Sequence, residues 1–147
     1  MSSVFGLLGR PTRGELDARR AQRVTRVLEL VERFVYDLGL LIAGDPVDLD
    51  GYVEATSARR LGDAVRPALV GGAPTRPDFG EYAQVRIEGD LLDQSAPVRT
   101  VVEFDDRSRL VGETGSTPVH ARRRVRLHLL LDPGISRVLD HRIERAA

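Results

Sequence analysis

The closest approach to an acid–base pair in this 147-residue chain is Asp140-His141, a carboxylate beside an imidazole near the end of the sequence. If that stretch is a strand, neighbouring side chains leave on opposite faces and the two cannot serve one site. The other histidines are His120 and His128, and His128 meets His141 only if adjacent strands carry them across from one another. No two histidines have the i, i+4 spacing of a helical zinc motif, and the chain has no Cys, so no metal and no cofactor is expected. Tyr36, Tyr52 and Tyr82 fall on or near the expected helix–sheet cleft, where a buried phenol beside an acid can polarise a carbonyl. A Tyr in such a place serves the core equally well while keeping its hydroxyl wet. The catalytic candidates are therefore His141, Asp140, Tyr36 and Tyr52. There is no nucleophile elbow and no phosphate loop.

The strongest charge signal is a row of alternating arginines, Arg122, Arg124 and Arg126. Placing Phe104 and Val125 on one face of an antiparallel pair sets Glu103 opposite Arg126 and Asp105 opposite Arg124. That makes a cross-strand charge ladder on a solvated face, and the same arginines can instead meet a partner's acidic surface. Val101 and Leu130 are the apolar residues expected on that polar face. All 22 basic residues are Arg, they balance 22 acids, and the formal net charge is zero. A general nucleic-acid binder would show a basic excess, so none is expected as partner.

Three segments must position these residues. Residues 1–11 carry a short apolar cluster, Val4, Phe5, Leu7 and Leu8, suited to docking on the domain or on a partner. A single domain is expected over residues 12–147, with helices in 12–70 and a sheet in 83–145. Thr12 and Glu15 have the spacing of a capping box, and Gly44 with Pro46 ends the helix they begin. Along it Val24, Leu28, Val31, Val35, Leu38 and Ile42 form an apolar stripe, widened by Val27, Phe34 and Leu41. A short turn follows, then a second helix over 58–70 capped by Ser57, tightened at Pro67, then a loop at 71–77.

Near residue 80 the apolar period changes from helical to two. Strands are expected over 83–92, 98–111, 119–131 and 137–145, with turns at 112–118 and 132–134. Short connections demand antiparallel pairing, and one polar face per strand means a sheet covered on one side by the helices. The fold class is α+β: a long N-terminal helix and a shorter one packed on a curved four-stranded antiparallel sheet.

Residues 43–143 resemble the nuclear-transport-factor-2-like superfamily, especially its translocase-tether type. The resemblance rests on Ala43-Gly44-Asp45, on Leu49-Asp50-Gly51-Tyr52-Val53 before the helix at Ser57, and on three long strands ending in Val138-Leu139-Asp140-His141-Arg142-Ile143. It implies a cone of helices on a bent sheet, in a superfamily holding isomerases, cyclases and members that only bind or assemble.

No motif names an activity. The function expected is a non-enzymatic interaction module that binds a protein partner or a second copy of itself. Its surfaces would be the sheet face, the cone mouth or residues 4–8. The alternative is an enzyme or carrier holding a small apolar ligand in the cleft. Peripheral membrane contact through residues 4–8 is a third option. No stretch reaches the roughly 20 apolar residues of a membrane span and no signal peptide is recognisable, so a cytoplasmic setting is expected.

Overall fold

The computed structural model describes residues 10–65, 75–80, 82–112, 115–118 and 123–146. Helix α1 (Arg13–Ala43) begins where the Thr12 hydroxyl accepts the Glu15 amide at 3.1 Å. It ends at Gly44, whose φ of 84° is left-handed and therefore suits a residue without Cβ. The Gly44 and Asp45 amides return to the carbonyls of Leu41 and Leu40 at 3.0 and 2.9 Å, closing the helix in a Schellman motif.

Helix α2 (Ala55–Val65) starts three residues earlier than a Ser57 cap predicts. The carboxylate of Glu54 accepts the amides of Thr56 (2.9 Å) and Ser57 (3.2 Å), so the longer acid caps the helix. Ser57 lies inside it, free to point at the sheet. The expected extension of α2 past Val65, with Pro67 and most of the 71–77 loop, falls outside the described residues.

The strands are β1 (Thr75–Arg76), β2 (Tyr82–Glu88), β3 (Val98–Asp105), β4 (Arg109–Gly112), β5 (Gly115–Pro118), β6 (Arg124–Leu131) and β7 (Val138–Ala146). The main sheet has the order β2-β3-β6-β7 and every pairing in it is antiparallel. The fold is thus α+β, as the change of period implies.

Two strand expectations are corrected. The strand expected over 98–111 is two, β3 and β4, and 112–118 is not a plain turn but holds β5, so β1-β4-β5 makes a second small sheet. The break comes from a buried polar turn. The Asp106 carboxylate accepts the Ser108 amide and Nη1 of Arg145, both at 3.0 Å, and the Ser108 hydroxyl accepts the Asp78 amide at 3.3 Å. A two-residue alternation runs straight through such a turn, because Leu110 continues the pattern of β3.

One face of the main sheet packs on α1. Phe34, Val27 and Val31 of the helix meet Val102 and Phe104 of β3 and Val125, Leu127, Leu129 and Leu131 of β6 in one buried cluster. Leu61 of α2, Tyr52 and Val53 close its end. Register shifts at Tyr82/Gln84 and Leu130/Leu131 are the irregularities that bend and twist strands. A bridge from Val53 to Val138 ties the segment between the helices to β7, with Val138 donating to the Tyr52 carbonyl at 2.7 Å.

Candidate functional site

His141 sits on the inner face of β7, opposite Leu129 and tilted against Phe34 with ring centroids 5.9 Å apart. Its Nδ1 lies 2.6 Å from Oγ of Ser57, which is 1% exposed. Nη2 of Arg60 stands 3.4 Å from the same nitrogen and can only donate, so Nδ1 is read as the acceptor of both. Burial, reinforced by the Arg60 charge, pushes the imidazole down to about 4. A serine and a histidine at this distance are two of the three members of a nucleophilic triad. Among the described residues the neighbouring acid does not supply the third. Asp140 points to solvent on the opposite face and accepts His141's own amide at 2.9 Å together with the Arg60 guanidinium. That guanidinium holds the Asp140 carboxyl below its usual range. Asp140 therefore orients Arg60, not the imidazole, and the Ser57–His141 pair is a satisfied buried contact.

His128 does not meet His141: it stands opposite Arg142 on the outer face, 3.2 Å from Glu144 but off the hydrogen-bond direction. His120 lies outside the described residues. Among the described residues no cluster of three His, Cys, Asp or Glu could hold a metal ion.

Tyr52 is buried. Its hydroxyl donates to Asp37, the Arg33 guanidinium lies 3.9 Å over its ring, and burial followed by the Asp37 bond pushes the phenol far above its usual range. It locks the end of α1 to the following turn and is closed to substrate. Tyr36 corrects the expectation outright: it is 68% exposed on the outside of α1, not in the helix–sheet cleft. The side chain of Tyr82 is outside the described residues.

The outer sheet face carries the charge ladder in the register its sequence implies. Glu103 pairs with Arg126 and Asp105 with Arg124. Arg126 Nε reaches Glu103 at 3.0 Å, while Arg124 bridges Glu103 (3.2 Å) and Asp105 (3.4 Å). The bond from Arg126, then that from Arg124, holds the Glu103 carboxyl low. Val101 lies on this face but is only 4% exposed, and Leu130 is half-buried. The cross-strand neighbours of Val101 are Arg86 and His128, and its burial takes it out of any sticky patch. Arg122 is outside the described residues, as are Val4, Phe5, Leu7 and Leu8. Exposed pairs of this kind contribute little, so Glu103→Gln should lower the urea midpoint only slightly, and the difference should vanish in molar salt. A loss that persists in molar salt would show the ladder acting as more than a screened surface array.

The apolar surface lies elsewhere. Val35, Tyr36, Gly39 and Leu40 of α1 and Pro77, Phe79 and Gly80 line an open groove of about 460 Å³. Gly39 lies in its floor: a Cβ there would stand 3.4 Å from the Phe79 ring and 3.8 Å from Pro77, ordinary contact distances, so residues 77–80 lie directly over this turn of the helix. Phe79 in turn stacks at a tilt on Phe104, with centroids 5.1 Å apart. Leu28 is the other exposed large apolar side chain among the described residues. A glycine inside a helix facing a Pro-x-Phe segment was the available signal, and it carries no meaning until the pairing in space is known.

The fold and this groove define an α+β protein with an apolar outer helix surface. No protein-family model matches the chain, and neither a curated protein nor a solved structure matches it. Among the described residues no helix is long and apolar enough to cross a membrane.

Proposed function

We propose that the protein is a non-enzymatic assembly module, of the cone-like α+β type its sequence resembles, whose partner is a second copy of the same chain. The observation that carries this is the exposed apolar groove itself, where Tyr36, 68% exposed, stands beside Gly39, Leu40, Pro77 and Phe79. On this reading the apolar residues Val4, Phe5, Leu7 and Leu8 of one copy cover the groove of the other. The buried state of Ser57, Tyr52 and His141 supports the same reading against a small-molecule enzyme using the cleft. A cytoplasmic setting belongs to this proposal.

Sedimentation equilibrium of the full chain tests it. The wild type should associate at micromolar concentration, and Tyr36→Asp or Leu8→Asp should each shift it to monomer, while Arg126→Gln leaves association unchanged. A wild type that stays monomeric at high micromolar concentration, or association that survives both aspartates, overturns it.

A further inference from the structure

On the first half of α1, well away from the groove, Arg19, Arg23 and Arg26 recur at spacings of four and three and so share one helical face. With Gln22, Gln94 and the Pro133 backbone they line a pocket of about 260 Å³ against the β6–β7 turn. Arg23 is 7% exposed. Its Nη2 donates to the Pro133 carbonyl at 2.9 Å, while its Nε is buried without a partner. The neighbouring Arg20 is paired with Asp17 at 3.2 Å, but among the described residues none of the three pocket arginines has a carboxylate within ion-pair distance. Asp93 stands near enough to Arg23 to feel its charge, yet its carboxylate is already engaged by the Ser95 hydroxyl (2.6 Å) and amide (3.0 Å).

A buried guanidinium with an unsatisfied N–H is costly unless something accepts from it. Three uncompensated guanidiniums around one concavity concentrate positive potential there. Their planar forks match the oxygens of a phosphate, and the two glutamine amides can serve a neutral remainder. The pocket is somewhat smaller than the roughly 300 Å³ at which drug-sized sites begin, which selects a small anion.

We infer that this pocket binds a small phosphate-bearing anion, held by Arg19, Arg23 and Arg26 with Gln22 and Gln94. The phosphate belongs to a soluble ester or to a lipid headgroup, and the experiment separates these sources.

Isothermal titration with inorganic pyrophosphate, at ionic strength matched with sodium chloride, is run on the full chain and on the Arg19→Gln/Arg26→Gln double variant. Both substituted side chains are exposed, so the fold should persist, as circular dichroism can verify. The wild type should bind, and the double variant should bind at least about tenfold more weakly, the loss expected for one charge-assisted contact. Flotation with phosphatidic acid vesicles is run in parallel. Flotation that pyrophosphate competes away assigns the headgroup, and pyrophosphate binding without flotation assigns a soluble ester. No heat beyond the chloride control, or equal affinity in the double variant, overturns the inference.

Discussion

Phe34→Ala should destabilise the protein by about 3–5 kcal/mol, the range for removing a fully buried aromatic side chain. Phe34 is wholly buried in the middle of α1, against the sheet cluster and the His141 ring. The transfer of its ring from water is lost, and a cavity remains because α1 is pinned at both ends by its caps and cannot slide to fill it. Leu28→Ala, on the outer side of the same helix, should change stability by no more than about 0.5 kcal/mol. The contrast, read as urea midpoints at constant m-value, tests which face of α1 seats on the sheet. Similar losses for the two variants would mean that α1 does not pack as described.

The second large effect is acid sensitivity centred on His141. Its imidazole titrates near 4 in the folded protein and near 6.5 unfolded, because burial disfavours the charged ring. The unfolded chain therefore takes up a proton first as pH falls. The stabilisation is fully present above about pH 6.5 and is lost progressively as pH drops towards 4. The shift corresponds to on the order of 3 kcal/mol. Carboxylates such as Asp140, held low by Arg60, also lose stabilisation in acid, so the histidine share is isolated by comparison with His141→Asn. That variant keeps a polar atom near the Ser57 hydroxyl but cannot titrate. Urea unfolding between pH 7 and 4 should show the wild type falling more steeply than the variant. Parallel pH profiles would show that the imidazole is not buried neutral.

These two predictions rest on features that differ in how far the sequence revealed them. The seating of α1 was largely legible because Val31, Val35, Leu38 and Ile42, with Val27 and Phe34 beside them, repeat with the helical period, and Thr12 and Gly44 punctuate its ends; Leu28, expected in the same stripe, is instead exposed because it falls at the flank of the buried face. The register of β3 against β6 was legible because only one alignment keeps Phe104 with Val125 and puts opposite charges face to face. The partner of His141 was not. Ser57 reads as a helix cap by local propensity, and only the capping of α2 by Glu54 frees its hydroxyl to reach β7, 84 positions away. The Asp106–Ser108 turn was hidden likewise, since its stabilising partners, Asp78 and Arg145, come from distant elements. The groove depends on residues 77–80 lying over Gly39 of α1, and the anion pocket on α1 crossing the β6–β7 turn. Such sites are products of tertiary packing, which no window along the chain contains.

The claim most open to direct test is that residues 4–8 occupy the groove of a neighbouring copy. Because the chain has no Cys, a pair of introduced thiols reports without background. A full-length protein carrying Leu8→Cys and Pro77→Cys, oxidised under mild conditions at micromolar concentration and run on a non-reducing gel, should give covalently linked dimers. Neither single variant should link through the other's position until the two are mixed. A disulfide that closes within one chain at every dilution, or no disulfide in the double variant, contradicts the account.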